Sequence, residues 1–158
     1  MARFMRKGTT KFYFVPTIAA LAAPTVAEVT AGTHLSPQMA EVNGFTFSNS
    51  PIQTPDMNSR FVSQIPGEDS TDESSIVFYE DKSTNPIRTA LAKDTNGFIV
   101  VFSGGLAGST PAATDKCEVW PVTVSSNARR YTADNTAAQY EVKFATTAPP
   151  EQNAVVAT

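Results

Sequence analysis

The chain has 158 residues, a formal net charge of −3 at pH 7, 17% charged and 41% apolar residues, and 11 prolines. A single domain of this length buries about 70% of the surface its unfolded chain exposes, so it needs no disulfide or metal staple. This balance excludes a helical bundle, a coiled coil and an acidic disordered tail. It also excludes a tight charge-driven grip on a nucleic-acid duplex, which requires a basic surplus.

The chain starts basic. Arg3, Arg6, Lys7 and Lys11 precede any acidic residue, giving +4 before Glu28, while the remainder carries 8 basic and 15 acidic residues, or −7. Residues 12–23 are mostly apolar and end in Ala20-Leu21-Ala22-Ala23, a small-residue pattern of the kind that ends a signal peptide. The run is shorter than the roughly 20 residues that span a bilayer. Phe12-Tyr13-Phe14-Val15 is aromatic and β-prone, and Pro16 interrupts the run where a signal helix would continue. The expectation is a flexible basic arm over 1–10, one domain over 11–147 beginning with a strand at 11–15, and a C-terminal extension over 148–158. An arm of opposite sign to the body suits docking on the acidic surface of a partner. If that partner is a second copy, the asymmetry favours head-to-tail stacking.

Strand signals recur at short spacing along the domain. They fall at 41–47, at 60–65 before Pro66-Gly67, and at 75–79. The run 98–102 is wholly apolar and is the candidate central strand. In 118–125, Trp120, Val122 and Val124 share one face, and Pro121, which cannot donate to a ladder, predicts an edge or a bulge there. In 138–146, Tyr140, Val142 and Phe144 point inward and Glu141 and Lys143 outward. One helix is signalled over 86–93: Asn85 as cap, Pro86 at the first position, and Ile87, Ala90 and Leu91 at core spacing. A shorter helical turn starts at Ser36-Pro37. Two long loops are expected. Residues 48–59 hold Pro51, Pro55 and two unpartnered apolar residues, Ile52 and Met57. Residues 67–74 hold Glu68, Asp69, Asp72 and Glu73. Long ordered loops in compact domains are usually functional. The tail from Ala148-Pro149-Pro150 reads as mobile or docked on a partner. The fold class is therefore mainly β: a β-sandwich or half-barrel with one short flanking α-helix, a long inter-strand loop, and extended N- and C-terminal arms.

Chemistry is sparse. Cys117 is the only cysteine, so an intrachain disulfide and a Cys-based metal cluster are excluded, and it reads as a small buried side chain. His34 is the only histidine, and any Ser-His-Asp arrangement would have to run through it. Gly104-Gly105-Leu106-Ala107-Gly108-Ser109 lacks the Lys and the following helix of a phosphate loop, and the acidic cluster lacks the spacing of a calcium loop. Neither catalytic, metal nor cofactor residues are expected. The pattern points to structural assembly or binding.

The order of several weak motifs carries a family resemblance over nearly the whole chain. They are the basic start with Lys11-Phe12-Tyr13-Phe14-Val15-Pro16, then Pro24-Thr25-Val26-Ala27-Glu28-Val29-Thr30-Ala31-Gly32-Thr33. Ser59-Arg60-Phe61-Val62 and Ile65-Pro66-Gly67 follow. Ser75-Ile76-Val77-Phe78-Tyr79-Glu80-Asp81 precedes the helix, and Val119-Trp120-Pro121-Val122-Thr123-Val124 precedes the last hairpin. In this order the chain resembles the major tail protein, or tail tube protein, of long non-contractile-tailed bacteriophages of the type seen in phages of actinobacteria. The resemblance implies a non-enzymatic virion protein that self-assembles into hexameric rings. The rings stack head to tail into a tail tube and pass DNA without binding it specifically. It implies self-association and contacts with other tail proteins (tape measure, terminator, distal tail), no membrane, and residence in the virion tail after assembly in the host cytoplasm. Family members often carry an added C-terminal surface domain, and none is expected here. Placed on this sequence, the inter-ring candidates are Ile52, Met57, Arg3, Arg6 and Lys7, and the acidic surface or lumen candidates are Glu68, Asp69, Asp72 and Glu73. The rival readings are another virion structural protein, such as a tail terminator or head decoration protein, and a secreted β-sandwich binding module.

Overall fold

The computed structural model describes all 158 residues. Strand β1 (Lys11–Val15) precedes helix α1 (Val26–Ala31), the short β2 (Thr33–His34), a 3-10 turn (Ser36–Gln38) and β3 (Met39–Asn43). Next come β4 (Phe47–Thr54), β5 (Ser63–Thr71), β6 (Ser74–Tyr79), α2 (Pro86–Ala90), β7 (Asn96–Phe102), β8 (Lys116–Arg130), β9 (Gln139–Thr146) and β10 (Glu151–Val155). The main antiparallel sheet runs β2-β1-β7-β8-β9-β6-β3, with β10 also on β8. It is mainly β and not closed into a barrel, as a β-sandwich or half-barrel reading requires.

Both faces of the sheet are buried, and the apolar run of β7 shows why. Ile99 and Val101 enter one core with Phe14, Trp120, Val122 and Phe144. Val100 and Phe102 enter the other with Tyr13, Val15, Cys117 and Val119. A strand covered on two sides cannot alternate apolar with polar residues. The first core is closed by α2 through Ile87 and by Leu91 just beyond it. The second is closed by Val29 of α1 and by Ala154 and Val156 of the C-terminal segment. The tail expected to be mobile or docked on a partner instead forms a strand of its own chain's sheet, and Val156 N–H donates to Asp115 O.

Strand β8 is a central strand, not the edge that Pro121 suggested. The Pro121 carbonyl accepts from Thr147 N–H, so its missing N–H lies on that same side of the strand. That is the point where β9 gives way to β10 across Ala148-Pro149-Pro150. The proline sits where no ladder donor is called for, and the bulge in β8 comes later, between Val124 and Ser126.

Two helices form where one was expected. Thr25 accepts from Glu28 N–H, and the Glu28 carboxylate accepts from Thr25 N–H, a full capping box at the start of α1. Helix α2 stops at Ala90, short of Lys93, because its carbonyls are taken by the sheet: Asn127 Nδ2 donates to Arg88 O and Leu91 O. Asn85 makes no side-chain cap and instead exchanges hydrogen bonds with the Asp81 backbone.

Leu91 is fully buried, so Leu91→Ala is expected to cost about 2–5 kcal/mol in chemical denaturation. An unchanged midpoint would remove this residue from the core. The backbone N–H groups of Thr25 and then Ala19 hold the Glu28 carboxyl below its usual pKa. A depressed folded pKa stabilises the fold above the ordinary glutamate value of about 4.3, and this contribution fades as pH falls through the folded value. Glu28→Gln is therefore expected to flatten the fall in stability on acidification, read as Tm against pH.

Candidate assembly surfaces

Residues 47–71 depart most from the sequence reading. The expected loop at 48–59 is strand β4 and a turn, and the expected acidic loop begins as strand β5. Together they form a separate two-stranded ribbon, paired only with itself. At about 3.3 Å per residue it stands roughly 25–30 Å long. Pro66-Gly67 does not end a strand but forms a bulge. Between the pairs Ser50–Glu68 and Ile52–Ile65, β5 advances one residue more than β4. The bulge absorbs the proline. Gly67 is required there, since a Cβ would lie 2.1 Å from Ser50 O, and the Asn49 side chain clamps it by hydrogen bonds to Gly67 N–H and O.

The root of the ribbon is fixed to the core. Gly44 has φ +82°, and a Cβ there would meet Glu73 O at 2.5 Å. Phe45 follows at φ +56°, a strained position for an aromatic residue. Its ring packs edge-on against Trp120 and tilted against Phe144 and Phe12, and its N–H donates to the buried Ser74 hydroxyl. Aromatic contacts and that hydrogen bond hold the strained turn and aim the ribbon.

On the ribbon Ile52 and Ile65 are directly paired, each about half exposed at 53% and 51%. Met57 is fully exposed at the tip, with Phe61 and Val62 beside it in sequence. Phe61 and Val62 were not among the candidates: a strand was expected over 60–65, whereas β5 begins at Ser63 and leaves both in the turn. The acidic candidates divide. Glu68 pairs with Ser50 on the face of Ile52, and Asp69 pairs with Asn49 on the opposite face. Asp72 accepts from the Thr46 hydroxyl, and Glu73 forms a salt bridge with Lys143.

Arg3, Arg6 and Lys7 lie in the exposed N-terminal segment. Residues 6–10 are a turn, with Thr9 and Thr10 N–H donating to Arg6 O and Thr10 Oγ1 to Ser103 O. This turn borders a groove of about 790 Å³ at the unclosed seam between β1 and β3. Phe12, Met39 and Phe45 give it an apolar floor, half-buried against the first core. Arg6, Lys7 and Lys11 stand on it as cations, and Glu41 and Glu118 as anions. All three intrachain salt bridges lie elsewhere.

His34 stacks on Tyr13 at 4.5 Å between ring centroids. Burial, and then the charge of Lys11, lower its pKa, so the ring is neutral at pH 7. Burial, and then Asp115 and Glu118, push the Cys117 thiol up to about 12.

A model of the phage tail tube protein family matches residues 1–158. The chain belongs to the phage tail tube protein family. It is a structural component of a virion tail rather than an enzyme. Among solved structures, it is similar to the sheath/tube terminator of an extracellular contractile injection system, with TM-score 0.63 and 10% identity over 93% of this chain and 95% of that one. It is similar to a chain of the anti-feeding prophage baseplate, with TM-score 0.60 and 5% identity over 94% and 95%. A third is a chain of the tail of an empty gene transfer agent particle, with TM-score 0.51 and 11% identity over 78% and 87%. At these identities the likeness is one of fold. No curated protein matches the chain.

With its pKa near 12, Cys117 is a protonated thiol at pH 8. Native protein is expected to be unreactive toward a disulfide reagent at pH 8 and to release one equivalent after denaturation. Fast native reaction would show that the second core opens.

Proposed function

We propose that the chain builds the wall of the tail tube as six-membered rings stacked head to tail, with the β4–β5 ribbon making the contact between rings. The observation that carries this is the ribbon itself. An isolated two-stranded hairpin is marginal in water, and this one leaves Phe47, Ile52, Met57, Phe61, Val62 and Ile65 exposed. Its root is rigid and its length has no partner within the chain, which is the geometry of an element completed by another copy. Ile52 and Met57 serve as apolar anchors, and the basic Arg3, Arg6 and Lys7 meet acidic surface on the neighbour. Glu68, Asp69, Asp72 and Glu73 contribute negative potential where DNA passes during ejection, since a conduit must not grip phosphates. Assembly takes place in the host cytoplasm with the other tail proteins.

Purified protein viewed by negative-stain microscopy is expected to form tubes, whereas single rings would mark a terminator. The double variant Ile52→Ser, Met57→Ser replaces exposed side chains, so monomer stability is expected within about 0.5 kcal/mol of wild type. Tube growth is expected to be lost. Tubes of wild-type length from this variant would sink the ribbon's role.

A further inference from the structure

The seam groove and the ribbon tip are complementary and stand at opposite ends of one element. The groove is floored in part by Phe45, the residue from which the ribbon springs. The tip lies roughly 25–30 Å away along a paired ladder, so it cannot enter the groove of its own chain without breaking that ladder. The tip carries Met57 and Phe61, fully or largely exposed, between and beside Asp56 and Arg60. Neither charge has an ion-pair partner within the chain. The groove offers the matching set: an apolar floor, cations at Arg6, Lys7 and Lys11 on the N-terminal turn and β1, and anions at Glu41 on β3 and Glu118 on β8.

We infer that the tip of the β4–β5 ribbon of one copy docks in the β1–β3 seam groove of the next, with Met57 and Phe61 over the aromatic floor, Asp56 toward Lys7 and Lys11, and Arg60 toward Glu41. The N-terminal residues 1–5 are the alternative occupant. They bring only positive charge, Arg3 and a terminal ammonium, to a groove lined by three cations, Arg6, Lys7 and Lys11, against two anions, Glu41 and Glu118, whereas the tip brings both signs. Donor and acceptor are different surfaces of the same chain, which makes the contact heterologous. Such a contact does not close as a two-fold dimer: it closes into a ring or propagates as an open stack according to its rotation, and a contact between rings is the open case. This inference rests on the ribbon being the contact between rings, and names its receiving surface.

The test uses engineered thiols, because Cys117 is buried and protonated. Full-length Met57→Cys is mixed with full-length Ala40→Cys, whose site lies on the groove wall, assembled, and treated with a short bismaleimide. A covalent dimer is expected with this pair. It is expected to be absent when Ser83→Cys, on the loop before α2, replaces Ala40→Cys. Assembled tubes that give no Met57–Ala40 product, or give equal product with Ser83, overturn the assignment. A charge exchange supplies the second readout. Arg60→Glu and Glu41→Lys are each expected to abolish long tubes, and the two together in one chain to restore them. Singles that assemble normally, or a double that stays defective, overturn it as well. The two proposals fail separately. If Ile52→Ser, Met57→Ser blocks growth but no groove cross-link forms, only the groove is wrong. If that variant assembles normally, or wild type stays monomeric, the ribbon's role fails and the groove with it.

Discussion

Strand β8 holds β7 along one edge and, along the other, β9 through its C-terminal half and β10 through its N-terminal part. Its register fixes which residues of four strands face which core. Trp120, Val122 and Val124 set the first core, and Cys117 and Val119 the second. A one-residue slip would exchange the two sets and place Trp120 in a layer built around Tyr13 and Val100. Two different cores make that slip costly. Pro121 is tolerated for a separate reason: it sits where the second partner of β8 changes from β9 to β10, so no ladder donor is called for.

The same core reaches outward through a single turn. Phe45 adopts a backbone conformation that costs of order 1–3 kcal/mol for a residue of its kind. Its ring contacts Trp120, Phe144 and Phe12. A strained residue persists where its surroundings over-determine it, and here the surroundings are the residues that β8 and β9 align. The register of the sheet therefore sets the direction of a ribbon that touches the sheet only at its root. A loose root would let the ribbon sample many directions, and docking would then have to offset the entropy of ordering it.

The body was legible because burial writes itself into sequence period. The apolar run at β7 and the alternation of Tyr140, Val142 and Phe144 in β9 gave strands within one or two residues of those observed. Asn127, which ends α2, was not legible, since a cap supplied from a strand 36 residues away leaves no local trace. Helix α1 could have been read. Thr25 and Glu28 are spaced as a capping box, but the helix behind them is six residues long, so Val26 and Val29 give a single i, i+3 step and no repeating period. The C-terminal strand was hidden by Ala148-Pro149-Pro150, which reads as a breaker and is one, but breaks between two strands rather than ending structure.

The ribbon was illegible for a reason that bears on its role. Period-two alternation appears in sequence only when one face meets a core and the other meets water. On β4, Ser48, Ser50, Ile52 and Thr54 lie on one face, and Phe47, Asn49, Pro51 and Gln53 on the other, so each face carries one large apolar residue among polar ones. Neither face is a core face within the chain, and the pattern reads as loop. Hydroxyl and amide pairs hold the ribbon instead: Ser48 with Ser70, Thr54 with Ser63, and Asn49 with Asp69. Such side chains complete the ladder without driving collapse onto the body, which keeps the apolar residues exposed. An element whose order is set by its own polar pairs keeps its apolar side chains at the surface, which is what the proposed contact between rings requires of it.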